Sequence, residues 1–546
     1  MLLVLCKSAA ARVATCNALS VSPSPLTTMD ILLRLMTGSI VAIFTFVRYM
    51  KIILFFYRKY TKVSPITNNV LKISASKVAE KIRNREIKSY DLVNAYIQRV
   101  KEVNPTINCV AEDRFEAALQ DAKKVDLMLD DDNVDLDELR RTKPLLGLPI
   151  TIKENLPVQG LSSTLCSKIR IGFKAEEDCD VVVKVKAAGA IPILVSTTPE
   201  FCMCMETYSK VFGISNNPYN TMRTTGGSSG GEGALLASGA SLIGVGSDLA
   251  GSIRFPSAFN GIFGHKPTHG YIPTNGSLPE SDNEEFNRYL AIGPMVRYPE
   301  DLRLMMNVLG ENMGSLKLNE KVDLSKIRVF FMEDCKTNFG LVKVQREIKQ
   351  AIRDSVRHLK DKCQAEISDK KFQNLGLSPE MCSAASSTLE YVSPLRAGTE
   401  KFWAVPQLLI NAFSLSRFCE YTMVHDILDT VTKWTPKRKV KKYFKVIDEL
   451  REEMAESLRD NGVFLYPVYP TTAQRHKEWM LGYASIYYAF IVNILGFPST
   501  TVPIGCDRKG LPVAIQVIAN MNQDRLCLAV AEELGEAFGG WIPPSN

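Results

Sequence analysis

The chain has 546 residues, 46% of them apolar, enough for a large buried core and too many for a disordered or fibrous polypeptide. Its formal charge is +7, and all of that excess lies in residues 1–62, where Lys7, Arg12, Arg34, Arg48, Lys51, Arg58, Lys59 and Lys62 stand against Asp30 alone. The remainder balances to zero, which argues against a nucleic-acid partner; the later cluster Lys437 to Lys442 carries no recognition pattern and reads as a solvated patch.

Residues 1–29 read as an N-terminal extension or a processed targeting segment, with Lys7 and Arg12 but no acid. Residues 30–60 hold the apolar run Ile31 to Phe56, whose uninterrupted core is Leu35 to Val47, shorter than the ~20 residues of a clean span. Arg34, Arg48 and Lys51 interrupt the run, so it is either a tilted anchor whose basic side chains reach water or a helix lying in the membrane interface. Membrane attachment is the expectation either way.

Beyond it, Ala75 to Pro105 has helical apolar spacing and is expected to stop near Asn104-Pro105. Glu112 to Met128 is the next predicted helix, and the acidic run Asp130 to Glu138 reads as a loop. PLLGLPITIKEN then places Lys153 at the end of a strand, and CDVVVKVKAAGAIPILVSTT reads as a helix followed by a buried strand. ALLASGASLIGVGSD is expected to give a small-residue helix and a turn. KIRVFFMED, GVFLYPVYP and GLPVAIQVIA are core-strand candidates, with VQREIKQAIRDSVRHLKDK a helix among them. The alternation predicts an α/β fold, a central mixed β-sheet covered by helices.

Thirteen cysteines show no framework spacing and read as mostly free thiols. The five histidines form neither HExxH nor a tight His/Cys/Asp cluster, so the sequence specifies no metal ligands, and no cofactor motif appears.

Two glycine-rich turns remain, GGSSGG at Gly226 to Gly231 and DLAGSIRFP from Asp248. Both mix glycines with small hydroxyl residues, a composition that lets a ligand approach backbone amides. GGSSGG contains GxSxG, but no nucleophile-elbow strand precedes it, and His358, His425 and His476 lack a supporting local pattern for a Ser-His-acid triad. A phosphate loop would need a Walker-type lysine and hydroxyl ending, which is missing.

Together, Lys153 in KEN, GGSSGG and GSDLAGSIRFPSAFNGIFGHKPTHG resemble the amidase signature family. Further matches are SNNPYN, AIGPMVRYPEDL, ILGFPSTTVPIG and GLPVAIQVI followed by Asp524, so the resemblance spans about residues 70–540 and implies a catalytic domain over 65–546. Within the family, the chain looks most like the membrane-associated fatty-acid amide hydrolases. The resemblance implies Ser252 as nucleophile, Ser228 as bridging serine across a cis Gly227–Ser228 peptide, and Lys153 as base. It implies an oxyanion hole from the backbone N–H groups of Leu249, Ala250, Gly251 and Ser252, with Ala250 standing where the family usually has glycine. Ser229, Asp248 and Arg254 are implied supports, Ser229 as loop scaffold and the other two as an ion pair or a substrate contact.

The implied substrate is a lipid-like fatty-acid amide, reached from an intracellular membrane by a single-pass or monotopic protein, as a monomer or a homo-oligomer. The segment Phe402 to Phe418 is a candidate channel wall or core element, and GYASIYYAFIVNILGFP a candidate pocket wall. General short-chain or aryl amidases, an amidotransferase subunit, and a membrane-associated binding or scaffold protein with an impaired site are the alternatives.

Overall fold

The structure, a computed structural model, describes residues 60–311, 315–335, 342–389, 410, 415–478 and 485–544. The targeting-segment expectation and the anchor expectation, Tyr60 apart, fall outside these, as does most of Phe402 to Phe418. Among the described residues, no helix is long and apolar enough to cross a membrane.

Two helices, α1 (Ala75–Arg83) and α2 (Ser89–Ile107), occupy the stretch whose spacing predicts one. The break falls at Arg85, whose backbone is left-handed with φ 61°, a state apolar periodicity does not register. Distant carboxylates satisfy the free amides at each helix start. Asp301 accepts the Ala75 and Ser76 N–H groups at 2.8 Å, and Asp126 accepts those of Ser89 and Tyr90 at 2.7 and 2.9 Å. The second helix runs past the expected stop because Pro105 lies in its last turn, where the missing N–H forfeits a single helical bond.

Next come β1 (Val110–Asp113), α3 (Phe115–Leu129), α4 (Leu136–Thr142), β2 (Pro149–Lys153), α5 (Asp180–Ala187) and β3 (Ile191–Ser196). Helix α4 corrects the all-loop reading of the acidic run: Asp135 caps it by accepting the N–H groups of Asp137 and Glu138, each at 3.0 Å. Helix α6 (Gly230–Ala237) and strand β4 (Ile243–Asp248) follow, so the expected turn after the small-residue helix is a strand. Its glycines are spacers for direct helix-on-sheet packing. A Cβ on Gly244 would lie 2.2 Å from Glu232 Oε2, and one on Gly246 would lie 2.8 Å from Ser229 Oγ.

The chain continues through α7 (Arg254–Asn260), β5 (Phe263–Lys266), α8 (Glu284–Tyr289), β6 (Ala291–Val296), α9 (Glu300–Leu309), β7 (Arg328–Phe331), α10 (Arg346–Asp361), β8 (Glu366–Ile367) and α11 (Ser378–Thr388). It ends with α12 (Glu420–Thr432), α13 (Lys437–Leu458), β9 (Gly462–Pro467), α14 (Tyr487–Leu495), β10 (Ser499–Cys506), β11 (Pro512–Ala519) and α15 (Asp524–Phe538). The basic cluster Lys437 to Lys442 occupies the exposed first turns of α13.

These eleven strands form one mixed sheet in the order β1-β3-β2-β4-β6-β5-β10-β11-β9-β7-β8, and two short two-stranded ribbons lie outside it within residues 208–224. Strand β2 runs parallel to both β3 and β4, and β4 pairs antiparallel with β6. Helices cover the sheet, so β2, β3, β4, β9 and β11 are buried along their whole length, and all of them except the glycine-spaced β4 read as apolar runs. Because β2 and β4 are parallel neighbours, their carboxyl ends, Lys153 and Ser247-Asp248, emerge at the same edge of the sheet, the position where open α/β sheets place ligands.

Candidate active site

Lys153 ends β2 with no exposed surface, its side chain beneath the turn that leads into α6. Its Nζ lies 2.7 Å from Ser228 Oγ, 2.8 Å from Ser247 Oγ and 3.4 Å from the Ser247 carbonyl. Ser247 Oγ donates its own proton to Asn155 Oδ1 at 3.3 Å, so toward Lys153 it acts as an acceptor. A neutral amine donating its two N–H bonds to Ser247 would turn its lone pair toward Ser228. Burial is the largest influence on Lys153 and lowers its pKa, outweighing the attraction of Asp248 and Glu232.

The peptide joining Gly227 to Ser228 is cis. Ser229 ties the two glycine turns together: its N–H donates to the Ser252 carbonyl at 3.1 Å, and its Oγ donates to the Ser247 carbonyl at 3.3 Å. The structure thus places Ser228 and Ser252 in adjoining loops. Ser228 is buried, while Ser252, Leu249 and Ala250 are partly accessible. Among the described residues, no hydrogen bond engages Ser252 Oγ, and no histidine bonds to Ser228, Ser229 or Ser252. His358 is held by Glu533, and His476 by Glu206 and the Thr221 carbonyl.

Asp248 organises the second turn. Its carboxylate accepts the N–H groups of Gly251 at 2.7 Å, Ile253 at 3.1 Å and Arg254 at 3.3 Å. It also accepts Arg254 Nε and Nη2, each at 3.0 Å, and Asn493 Nδ2 at 3.0 Å. Burial opposes its ionisation, but the Arg254 charge and these hydrogen bonds outweigh that and hold the carboxyl well below the usual range. Arg254 also donates to Gln516 Oε1 at 3.1 Å and to Asn493 Oδ1. Both members of the pair are fully buried. Their partners are thus loop amides, each other and the side chains of Asn493 and Gln516.

The Gly251 N–H donates to Asp248, while among the described residues no hydrogen bond takes the amides of Leu249, Ala250 or Ser252. Glycine is needed at Gly251, where φ is 116° and a Cβ would lie 2.4 Å from the Phe255 ring. Ala250 is not among the positive-φ residues, so its methyl group meets no such backbone restriction.

Sequence reasoning left out Ser247, Asn155, Asn493, Gln516 and Cys202. Asn155 stands in KEN and Ser247 directly precedes Asp248, so adjacency to the motifs was an available signal. Asn493 and Gln516 carry none, since they lie on α14 and β11, far along the chain. Burial pushes the Cys202 thiol pKa up, against the opposing effect of the Lys153 charge. Beneath the turn, Glu232 accepts the Thr151 hydroxyl at 2.5 Å and is pushed up to about 7 by burial. His265, Thr268 and Thr500 form a separate buried network with Asp524 that fastens β5 to β10 and α15.

A lysine with lowered pKa, two serines in adjoining loops and a turn with free amides make a constellation suited to acyl transfer. The Amidase family model matches residues 91–528. The chain is 37% identical over 491 residues to Fatty-acid amide hydrolase 2 of Homo sapiens, covering 88% of this chain and 92% of that protein. It is 36% identical over 495 residues to Fatty-acid amide hydrolase 2-A of Danio rerio, covering 89% and 92%. A solved structure of a fatty acid amide hydrolase superposes with a TM-score of 0.69 at 21% identity, over 88% of this chain and 87% of that one. The chain belongs to the amidase signature family and is an amidase.

Proposed function

We propose that the chain hydrolyses fatty-acid amides to a free fatty acid and an amine, with Ser252 as nucleophile, Ser228 as proton bridge and Lys153 as base. The observation that carries this reading is the 2.7 Å contact of a desolvated Lys153 with Ser228, in a turn hydrogen-bonded to the Ser252 backbone. Ser252 Oγ attacks the amide carbonyl and passes its proton through Ser228 to neutral Lys153. Negative charge gathers on the carbonyl oxygen, where the amides of Leu249, Ala250 and Ser252 are placed to receive it. The proton then returns through the serines to the departing nitrogen, the C–N bond breaks, and water cleaves the acyl-Ser252 ester.

The fatty-acid preference is supported by the relatives whose names state it and by the apolar run Ile31 to Phe56, which would hold the enzyme at a membrane where apolar amides concentrate. Each acyl methylene buried in a site adds ~0.8 kcal/mol of binding, so chain-length preference is the sensitive readout. Purified protein and Ser252→Ala are to be treated with a fluorophosphonate, then assayed on N-acyl amides of short and long chain. Labelling confined to the unaltered protein, with turnover rising with chain length, is the expected result. Equal labelling of the variant removes the nucleophile assignment, and a short-chain preference removes the fatty-acid assignment while leaving an amidase.

A further inference from the structure

Away from the catalytic turns, the end of α10 meets α15 through three potential metal ligands. His358 lies in the last turn of α10, Cys363 follows the helix cap, and Glu533 faces them from α15. One donor atom from each lies within 4.8 Å of the other two. His358 Nε2 is 2.7 Å from Glu533 Oε1, and the Phe538 ring packs edge-on against the imidazole at 5.8 Å, fixing its plane. The His358 and Glu533 side chains are 20% and 31% exposed, so the trio is walled by protein on one side and open to water on the other.

The geometry points to a zinc-class divalent metal site formed by His358, Cys363 and Glu533, with a fourth position open to water. Imidazole and thiolate favour Zn²⁺ over Mg²⁺ or Ca²⁺, which prefer all-oxygen shells. A thiolate and a carboxylate with a neutral imidazole cancel the charge of a dication, which suits a half-buried position. Zinc–ligand bonds of about 2.0–2.3 Å in a tetrahedron put donors roughly 3.3–3.8 Å apart. From a largest separation of 4.8 Å, side-chain adjustment alone closes the site.

Binding replaces the His358–Glu533 hydrogen bond with metal bonds. The thiol proton leaves to solvent, and His358 carries its remaining proton on the ring nitrogen that does not bind. Because the thiol must lose its proton to bind, metal uptake releases a proton and strengthens as pH rises. The ion would fasten the end of α10 to α15, both of which pack on β11.

The test uses the full chain, stripped with chelator and dialysed against buffered Zn²⁺, with bound metal measured by atomic absorption. Cys363→Ser, His358→Gln and Glu533→Gln are near-isosteric, and each is checked by circular dichroism for native fold. Cys506→Ser removes an exposed thiol that is outside the trio. The expected result is one more equivalent of zinc on the unaltered protein and Cys506→Ser than on Cys363→Ser. His358→Gln and Glu533→Gln should bind at least tenfold more weakly. Co²⁺ should give a thiolate charge-transfer absorption that disappears in Cys363→Ser. Equal zinc on unaltered protein and Cys363→Ser, or undiminished affinity in His358→Gln, overturns the site.

Discussion

Replacing Asp248 with asparagine keeps the shape of the side chain and removes its charge, which isolates what the buried ion pair with Arg254 contributes. Arg254 would keep Gln516 and Asn493 as partners, but its charge would have no counterion. Breaking one side of a buried pair costs about 3–5 kcal/mol. With an unfolding entropy of about 2.1 cal/mol/K per residue, a unit the size of residues 60–546 has roughly 1 kcal/mol/K, so the melting temperature should fall by about 3–5 °C near neutral pH. Calorimetry at fixed scan rate measures this.

The pH dependence supplies an independent sign. A carboxyl whose folded pKa lies below its unfolded value of about 3.9 contributes its full stabilisation above that value and loses it as pH falls toward the folded pKa. The gap between the two proteins should therefore be constant from about pH 5 upward and shrink in acid. Matching melting temperatures at pH 7, or a gap that widens on acidification, would refute the argument. Activity should fall too, because one accepting oxygen becomes an NH₂ group that cannot receive the N–H donors converging on it, so the turn loses part of its bracing.

Lys153→Met should lower kcat by about 10²–10⁴; since burial lowers the lysine pKa and the proposed base is the neutral amine, kcat/KM of the unaltered enzyme should rise with pH, and that limb should vanish in the variant. Ser247→Ala removes the acceptor that orients the Lys153 amine; leaving that buried N–H unsatisfied costs about 1–3 kcal/mol and predicts roughly five- to hundredfold lower kcat with little change in KM, measured by steady-state kinetics. Gly251→Ala should abolish turnover and lower the melting temperature, because the new methyl group meets both a left-handed backbone and the Phe255 ring. Ala250→Gly should leave kcat within about twofold, since Ala250 needs no special backbone state.

The sequence made the sheet-and-helix alternation readable because its central strands are continuous apolar runs, and it placed Lys153 at a strand end through PITIKEN. It hid β4, where glycine replaces every second strand former so that α6 can press against the sheet. It hid the split of α1 from α2, which turns on one left-handed arginine. Within the site, Lys153, Ser228, Ser252, Asp248 and Arg254 stand in quotable motifs. Asn493 and Gln516 do not, because their work is to complete the hydrogen bonding of a buried guanidinium, and any segment that reaches it can supply that. The His358, Cys363 and Glu533 trio was illegible for a similar reason: helix α15 alone brings the third member to the other two.

The order in which the ribosome makes this chain bears on when it can act. Every residue proposed for a chemical step lies before Phe255, yet the guanidinium paired with Asp248 beside the Ser252 turn waits for Asn493 and Gln516, and β5 gains its second neighbour only when β10 has been made. A nascent or C-terminally truncated chain would carry all three reacting side chains and still lack an assembled site. Hydrolytic competence should therefore arrive near the end of synthesis, and a stop codon before residue 493 should yield an inert protein although no residue beyond that point belongs to the proposed proton path.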